Sequence, residues 1–408
     1  MRIFGHRFDA RVSWLPALCA LILAALAGCG TPQASVSTNE LPFDTAVDQA
    51  TDALVAQTQK LPGFLAKLET KVEAKIAKRG IVLDPMVDSG SGQQTRATQQ
   101  LEQRVTERMK ANFASLEVLP FRSDNVAKAS YLLTGTLTRV GRSASARPLQ
   151  INLALTDLRS GKVVAQASAL AQDRGLDHQP LPYYQDSPVL VKDGVVDGYV
   201  RTTATPPGQA ADATYFERLS VATVISDAGS AYNSEHYQDA LAKYRAAGAM
   251  NGGDQLRTLN GIYLSNIKLG RMADAESAFG NIVAYGFKNR QLDVKFLFNP
   301  GTTVFWSDPR VSGAYDMWLR QIARQGASTQ ICMQVVGHTS HTGSEQTNDA
   351  LSLQRADYIL QRLAADAPSL GPRAKAVGMG WRENIVGSGT DNAVDALDRR
   401  VVFKIVGC

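Results

Sequence analysis

The stretch Val336-Gly-His-Thr-Ser-His-Thr-Gly343 decides the fold of the C-terminal part of the chain. The apolar run Ile331–Val336 predicts a strand that ends just before this polar loop, and a helical pattern follows from Thr347 to Leu363. The loop therefore joins a strand to a helix. Along that helix and beyond it, further distinctive residues occur in a fixed order: Asn348, Leu351-Ser352, Arg355-Ala356 and Asp398-Arg399-Arg400-Val401.

This order and spacing resembles the signature of the OmpA-like peptidoglycan-binding domain, which reads G-H-T-D, a nearby glycine, then N, L-S, R-A and a closing N-R-R-V-E. The resemblance covers residues 289–408 and implies a β-α-β-α-β-β domain with a mixed sheet. Asp308-Pro309 predicts a helix start, because an aspartate cap and a first-turn proline suit that position. The expected strands are Val294–Phe298, Ile331–Val336, Ala374–Val377 and Arg400–Val406.

The resemblance also implies a binding site, placed between the loop after the second strand and the second helix. Its ligand in this family is the side-chain end of a diamino acid in the wall peptide, which carries one ammonium and one carboxylate. Arg355 matches the arginine that grips the carboxylate, and its forked guanidinium suits that group better than a lysine would. The other matched positions, which shape the pocket, are Thr339, Ser340, Asn348 and Leu351.

Ser340 departs from the family pattern, because the residue expected there is an aspartate that meets the ammonium group. A serine hydroxyl accepts a hydrogen bond but carries no charge, so binding should weaken by about 1–2 kcal/mol, roughly ten- to thirtyfold. Glu345, Asp349 or Asp357 could supply a replacement charge. The domain is then either a weakened wall binder or a domain that kept the fold and lost the ligand.

The first residues resemble a bacterial lipoprotein signal. A basic head precedes an apolar run from Trp14 to Ala27, which is shorter than the roughly 20 residues that a spanning helix needs. Leu26-Ala-Gly-Cys29 resembles the lipobox, so we expect removal of residues 1–28, acylation of Cys29 and a tether over 29–44. Gly30, rather than an aspartate, favours the outer membrane. A cleaved signal with an incidental Cys29 is the alternative.

Two cysteines, Cys332 and Cys408, remain as thiols once the signal has left and Cys29 carries lipid. In OmpA-like folds the strands that bear them are antiparallel neighbours, so the resemblance implies that they form a disulfide. An oxidising compartment would permit this bond. Two buried free thiols are the alternative.

Composition and motifs argue against several function classes. The formal charge of +5 falls to +3 once three arginines (Arg2, Arg7, Arg11) and one acid (Asp9) leave with the signal, which is too mild to indicate nucleic acid. His338 and His341 lie three apart at a strand end, which directs the rings apart, so we predict no metal site. The sequence contains no G-x-S-x-G and no H-E-x-x-H, and we predict neither an enzyme nor a cofactor.

Residues 45–171 predict an α/β domain whose element order resembles that of LpoB-type penicillin-binding-protein activators and of the N-terminal domain of TolB. Ser89-Gly-Ser-Gly92 lacks the residues of a phosphate-binding loop and predicts a solvated, flexible connection. Residues 151–167 alternate around a turn at Arg159-Ser-Gly161 and predict a hairpin. The other expected elements are helices at Asp44–Lys60, Leu65–Lys78 and Thr98–Phe113, and strands at Gly80–Val87, Leu116–Phe121 and Tyr131–Val140.

Two further regions connect these domains. Residues 172–213 are predicted as an irregular linker or interaction loop, with possible short strands at 189–194 and Val195–Val200. Residues 214–288 predict two helical pairs, either a spacer or a surface that binds a partner. Their pattern resembles tetratricopeptide repeats, because Tyr237, Ala240, Tyr244 and Ala247 recur 35 residues later as Met272, Ala275, Phe279 and Ile282.

At 408 residues the chain predicts a multidomain α/β and α+β protein. We expect a lipoprotein that faces the periplasm from the outer membrane and tethers the envelope by non-covalent binding to peptidoglycan. Two attachments on one chain reinforce each other through a high effective concentration. The alternative is an adaptor or activator whose N-terminal and helical regions recruit a wall-synthesis or secretion partner, with the C-terminal domain only localising it. A wall-modifying enzyme is a further alternative.

Overall fold

The computed structural model describes residues 39–58, 79–140, 148–299, 301–387, 389 and 394–408. The predicted signal peptide, Cys29, most of the predicted tether and the predicted helix Leu65–Lys78 lie outside the described residues. None of the helices in these ranges has the length and apolar character needed to cross a membrane. The protein is a mixed α/β structure with two sheets, which the helices of residues 219–288 separate along the chain.

Six strands form the first sheet: β1 (Arg79–Leu83), β2 (Val87–Asp88), β3 (Leu116–Pro120), β4 (Tyr131–Arg139), β5 (Leu149–Asp157) and β6 (Lys162–Ala171). The sheet follows the order β3-β1-β4-β5-β6, with β2 beside β4. β1 pairs in parallel with β3 and β4, whereas β5 pairs antiparallel with both β4 and β6. The hairpin predicted over residues 151–167 is therefore confirmed.

Two long helices pack on the core of the first sheet: α1 (Phe43–Thr58) and α2 (Arg96–Asn112). The predicted inward positions of α1 are all buried: Val47, Ala50 and Leu54. Asp44 lies in the first turn of α1. Thr95 and Thr98 form a reciprocal capping box at the start of α2, which satisfies two backbone donors that the helix leaves open.

Two predictions in this region were wrong. The strand expected over Gly80–Val87 is interrupted between β1 and β2, where Pro85 cannot donate a ladder hydrogen bond. The loop of residues 89–92 is not fully solvated, because Ser91 is buried. The Asp88 carboxylate accepts hydrogen bonds from both the backbone N–H and the hydroxyl of Ser91, each at 2.7 Å, and these bonds replace water.

Residues 172–213 contain helices where we predicted irregular structure. Within this segment lie the short helix α4 (Pro182–Asp186) and the longer helix α5 (Gly194–Thr203), and α6 (Ala213–Phe216) begins at its end. A further short helix, α3 (Ser123–Val126), lies earlier in the chain, between β3 and β4. The strand expected at Val195–Val200 was wrong, because Asp193 caps α5 by accepting from the N–H groups of Val195 and Val196. The buried side chains of α5 then recur at helical spacing: Val195, Val196, Tyr199, Thr202 and Thr203.

Four helices follow, as the two predicted pairs: α7 (Leu219–Asn233), α8 (Tyr237–Ala249), α9 (Leu256–Lys268) and α10 (Met272–Lys288). Most of the repeated positions are buried, namely Ala240, Tyr244, Ala247, Ala275, Phe279 and Ile282. Met272 departs from the pattern because 57% of its surface is exposed. The resemblance to tetratricopeptide repeats and the proposed domain boundaries stay predictions.

The second sheet contains β7 (Gln291–Val294), β8 (Cys332–Gly337), β9 (Ala374–Gly378) and β10 (Val401–Val406). Its order is β7-β10-β8-β9, in which β8 and β9 are parallel and the other pairs antiparallel. The mixed sheet is thus confirmed. The helices of this region are α11 (Pro309–Ser312), α12 (Tyr315–Ser328) and α13 (Glu345–Asp366), with short 3-10 helices at Pro368–Arg373 and 394–397.

The first strand of this sheet lies three residues earlier than predicted. We expected Val294–Phe298 and observe β7, which includes the acidic residue Asp293. The apolar pattern did not include β7, because a charged residue interrupts it at Asp293. In the fold this charge is neutralised by Arg400, 107 residues later in the chain. Phe296 and Phe298 instead join a cluster of aromatic rings beside the sheet.

A segment of the predicted linker extends the second sheet beyond β7. Val189 pairs antiparallel with Val294. The Leu190 N–H donates to the Asp293 carbonyl at 3.1 Å, and the Lys295 N–H donates to the Pro188 carbonyl at 2.8 Å. Residues 188–190 therefore occupy the outer edge of β7 and join the central part of the chain to the C-terminal sheet.

Cys332 and Cys408 are joined by a disulfide that closes a loop of 76 residues, with their Cα atoms 5.2 Å apart. Cys332 opens β8 and Cys408 follows β10, and these two strands pair antiparallel. The bond therefore links the C-terminus to the centre of the second sheet. A loop of this length corresponds to roughly 4 kcal/mol in the chain-entropy model.

A buried acid, Asp84, and a partly buried one, Glu102, predict a pH-dependent stability in the N-terminal half. Burial raises the pKa of Asp84 to about 6 and that of Glu102 to about 8. The folded state thus holds these protons more tightly than the unfolded chain, so the free energy of unfolding should fall as pH rises from about 5 to about 8. Replacing Glu102 with glutamine should remove on the order of 2 kcal/mol of this change.

Urea unfolding of the wild type and the Glu102→Gln variant at several pH values measures the difference. The glutamine oxygen can still accept the Met86 N–H bond, which is 2.8 Å long in the wild type. The variant therefore removes the titrating carboxyl group while it keeps the contact with Met86. Equal pH slopes for the two proteins would contradict the prediction.

Candidate functional site

Two glycines bring α13 against the ends of two parallel strands. A Cβ atom on Gly337, at the end of β8, would lie 2.1 Å from the Ser352 carbonyl oxygen. A Cβ atom on Gly378, at the end of β9, would lie 2.7 Å from the Leu353 nitrogen. Both distances are shorter than a real contact, so any larger residue would push the helix away. The loop after β8 therefore stays beside α13.

Hydrogen bonds fix the start of this loop, residues 338–344. The His338 N–H donates to the Arg400 carbonyl at 3.0 Å, and the Thr339 N–H donates to the Gly380 carbonyl at 2.9 Å. The Gly380 N–H in turn donates to the Ser352 hydroxyl on α13 at 2.9 Å. Loop, helix and the turn after β9 are thus held as one rigid group.

Asn348 fixes the end of the same loop. Its side-chain amide donates to the carbonyls of Thr342 at 2.6 Å and Ser344 at 3.0 Å. Ser344 caps α13 by accepting from the Thr347 N–H at 3.2 Å. The sequence placed Asn348 among the residues that shape the pocket, and its contacts show how it could do so.

Arg355 is 5% exposed and does not point into bulk solvent. Its Nε donates to the Thr302 carbonyl at 3.1 Å and its Nη2 donates to the Asn299 carbonyl at 3.3 Å. The guanidinium carbon also lies 4.9 Å from the centre of the Phe298 ring. These contacts hold the guanidinium in one orientation, which preorganises it for a planar anionic group.

The predicted residues of α13 share one face of the helix. Asn348, Leu351, Ser352 and Arg355 follow the three- and four-residue spacing of neighbours on a helix surface. Asn348, Ser352 and Arg355 are buried, and Leu351 is half-buried. The helix therefore places Arg355 two turns from the residue that holds the loop.

Thr339 and Ser340 are buried in the loop, 2% and 4% exposed. The hydroxyls of Ser340 and Thr342 lie 3.4 Å apart. The Thr339 hydroxyl has no hydrogen-bond partner within the described part of the chain. A buried hydroxyl without a partner costs free energy, so this position favours a polar ligand group or a water molecule.

The three acids considered as replacements for the missing aspartate have other partners. An Arg382 Nη1 donates to the Asp349 carboxylate at 2.7 Å and to the Glu345 carboxylate at 3.3 Å. Asp357 accepts from the Gln361 amide at 2.7 Å. Each of the three acids therefore already accepts a hydrogen bond from another side chain.

Asp398 organises a second loop that sequence reasoning did not assign. Its carboxylate accepts from the N–H groups of Ile385 at 2.7 Å, Val386 at 3.0 Å and Gly387 at 2.7 Å. Burial raises the pKa of Asp398, which the three backbone donors partly oppose. The sequence feature that could have indicated this role is the place of Asp398 in the closing Asp-Arg-Arg-Val motif, where a short acidic side chain can reach neighbouring backbone amides.

Arg400, from the same motif, forms a buried ion pair that ties the last strand to the first. Its Nε donates to Asp293 at 3.1 Å, and both side chains are less than 10% exposed. Its other nitrogens donate to the carbonyls of Glu383 at 3.1 Å and Leu397 at 3.4 Å. Arg400 thus supports the turn beside the loop and the edge of the sheet together.

The two histidines of the loop lie in different environments, as their spacing predicted. His338 is buried, and burial, together with Arg400 and Lys404, lowers its pKa to about 3. Its ring nitrogens have no hydrogen-bond partner among the described residues. The His341 ring lies against the Trp381 ring, with the ring centres 4.0 Å apart and the planes inclined by 55°. No cluster of potential metal ligands occurs in the described ranges.

Comparison with known proteins gives one family match. Residues 297–396 match the model of the OmpA family. None of the curated proteins compared with the chain matches it. The predicted resemblance of the C-terminal region is therefore confirmed.

Several solved structures are similar to the same part of the chain. The peptidoglycan-associated lipoprotein from Burkholderia pseudomallei is 24% identical, and the match covers 28% of this chain and 89% of that one, with a TM-score of 0.24. An outer membrane protein from Borrelia burgdorferi B31 is 21% identical over 29% of this chain and 88% of that one, with a TM-score of 0.22. The periplasmic domain of Helicobacter pylori MotB is 17% identical over 29% of this chain and 74% of that one, with a TM-score of 0.23.

Proposed function

We infer from the OmpA family domain at the C-terminus, which indicates a peptidoglycan-binding envelope protein, that this chain grips the cell wall without altering it chemically. The domain would bind the free end of a diamino acid in the wall peptide. The orientation of Arg355 carries the proposal, because a buried guanidinium fixed by two backbone carbonyls is prepared to receive a carboxylate.

The ammonium end of the ligand would meet the loop of residues 338–344. The Ser340 hydroxyl and the unpartnered Thr339 hydroxyl are the acceptors that the described loop offers there. Neither carries a charge, so we propose moderate affinity rather than tight binding. Asn348 would act indirectly by holding the loop, and Leu351 would form an apolar wall of the pocket.

The N-terminus would supply the second attachment. The lipobox around Cys29 supports acylation and retention in the outer membrane, with the rest of the chain in the periplasm. A lipid anchor and a wall site on one chain raise the effective concentration of each for its target. Together they would tether the membrane to the wall even when the wall site alone is modest.

Sedimentation with purified sacculi tests the wall-binding function. We expect the full-length chain in detergent to sediment with the sacculi and to be released by excess free wall peptide that contains the diamino acid. A protein that stays wholly in the supernatant would instead support a domain that kept the fold and lost the ligand.

An adaptor function is the second candidate. The N-terminal α/β region has its own hydrophobic core, built on α1, α2 and the first sheet. A complete folded region that wall binding does not require is suited to recruiting an envelope protein. Crosslinking in intact cells separates the two functions, because an adaptor would yield one stoichiometric protein partner.

Restoring the family aspartate at position 340 should strengthen wall binding. The Ser340→Asp variant would place a carboxylate opposite the ligand ammonium, and a charge-assisted hydrogen bond should increase affinity about ten- to thirtyfold over the neutral one. Titration calorimetry with soluble wall peptide measures the change. Ser160→Asp, which adds the same charge in an exposed turn of the first sheet, is the matched control and should bind like the wild type. Unchanged affinity in Ser340→Asp would argue against the proposed pose.

A further inference from the structure

A short turn next to Arg355 presents two apolar side chains to solvent. Its described residues are 298–299 and 301–306, and Phe298 and Phe305 pair across it as an isolated antiparallel bridge. The Asn299 N–H donates to the Val304 carbonyl at 2.9 Å, and the Trp306 N–H donates to the Leu297 carbonyl at 3.0 Å. Backbone hydrogen bonds therefore hold the two sides of the turn together.

The two faces of this turn differ in environment. Phe305 points inward, where its ring lies 5.0 Å from the Tyr315 ring and 5.3 Å from the Tyr358 ring. Its neighbours Val304 and Trp306 point the other way, as alternation along an extended strand requires, and are 61% and 39% exposed. The buried aromatic cluster anchors the turn, so the exposure of Trp306 does not come from poor packing.

Arg355 holds the same turn. The carbonyls of Asn299 and Thr302 accept its hydrogen bonds, and its guanidinium lies over Phe298 at 4.9 Å. The Phe298 and Phe305 ring centres are 5.2 Å apart, and Trp306 follows Phe305 directly. Trp306 therefore belongs to the same turn whose backbone Arg355 holds.

We propose that Trp306, with Val304 beside it, forms a platform for a sugar ring of the peptidoglycan glycan strand. This inference rests on the proposed function, since it places the sugar that carries the stem peptide bound at Arg355. The apolar C–H face of a pyranose ring is slightly positive and complements the negative face of an indole. At most two residues separate the diamino acid from the sugar in a tripeptide stem, roughly 7 Å of extended chain, which suits two adjacent subsites.

A sugar fits this surface better than a protein or a lipid. Two side chains offer far less than the ~800 Å² that each partner buries in a stable protein complex. The exposed ion pair of Arg310 with Asp308 borders the turn, and such charges favour a wet, polar ligand over a bilayer interior. Arg355, which would bind the wall peptide, holds the same turn, so the wall glycan is the saccharide that the proposal names.

The test compares two soluble ligands: a disaccharide-tripeptide containing the diamino acid, and the same tripeptide without sugar. Titration calorimetry uses the full-length chain in detergent. We expect the wild type to bind the disaccharide-tripeptide about tenfold more tightly than the tripeptide. Trp306→Ala should lose this preference while binding the tripeptide as the wild type does, and Trp306→Phe should keep most of it because a ring remains.

Met272→Ala is the matched control, because it removes another exposed apolar side chain, on α10, and should keep the full preference. Equal binding of the two ligands by the wild type, or a preference that survives in Trp306→Ala, would overturn the platform and leave the proposed function intact. An equal loss for both ligands in Trp306→Ala would also overturn it. A wild type that binds neither ligand would overturn both proposals.

Discussion

Replacing Arg355 with alanine should lower the affinity for wall peptide by about 100-fold or more and abolish sedimentation with sacculi. The proposed bidentate contact to the ligand carboxylate is charge-assisted, and its loss corresponds to about 3 kcal/mol. Arg355→Lys should recover only part of the affinity, because an ammonium keeps the charge but lacks the planar fork. Titration calorimetry and sacculus sedimentation measure the two effects.

The control must separate ligand binding from folding, because Arg355 also holds the turn at Asn299 and Thr302. Arg362 lies on the same helix two turns later and pairs with the exposed Asp316. Arg362→Ala should therefore bind like the wild type. Circular dichroism and thermal unfolding of each variant report the folded fraction. A folded Arg355→Ala protein that binds wall peptide normally would refute the role of the guanidinium.

Removing one member of the Asp293 and Arg400 pair should lower the free energy of unfolding by about 3–5 kcal/mol, because it leaves the other charge buried without its partner. The Arg400→Met variant also removes two bonds to backbone carbonyls, which adds to the loss. The double variant Asp293→Leu with Arg400→Met should be more stable than the single one, since apolar groups replace both charges. Urea denaturation of the variants measures these differences.

An exposed pair provides the comparison. Arg382 is about two-fifths exposed and contacts Asp349, so Arg382→Met should cost at most about 1 kcal/mol. A similar loss in Arg382→Met and Arg400→Met would mean that burial of the pair contributes little. A double variant as unstable as the single one would show that the loss comes from the backbone contacts of Arg400 rather than from the unpaired acid.

Local patterns predicted the elements whose stability is local. The apolar face of α1, the β5–β6 hairpin and the helices of residues 219–288 follow from periodicity and turn residues, and the structure confirms them. The strand expected at Val195–Val200 failed because β-branched residues favour strands, whereas the Asp193 cap and burial against neighbouring elements stabilise a helix. The shift of β7 has a similar cause, since the charge of Asp293 in the strand is neutralised by Arg400, which is distant in the sequence.

The candidate site was predictable as a set of residue types but not as a set of contacts. Motif spacing singled out Arg355 and Asn348, and the structure places both on the buried face of α13. The carbonyls that orient Arg355 come from more than fifty residues earlier in the chain, at a turn whose pattern carries no signal. The pairing of Asp349 with Arg382 is equally non-local, so the spacing of the motif could not predict this partner of Asp349.

The docking of residues 188–190 on β7 has a consequence for work with fragments. An unpaired outer strand offers its amide and carbonyl groups as a template for strands of other molecules, and this is a common route to aggregation. The native chain caps that edge with its own backbone at Val189. A fragment that begins at residue 289 would leave the Asp293 carbonyl and the Lys295 amide open to self-association, so a soluble excised domain should begin before Pro188.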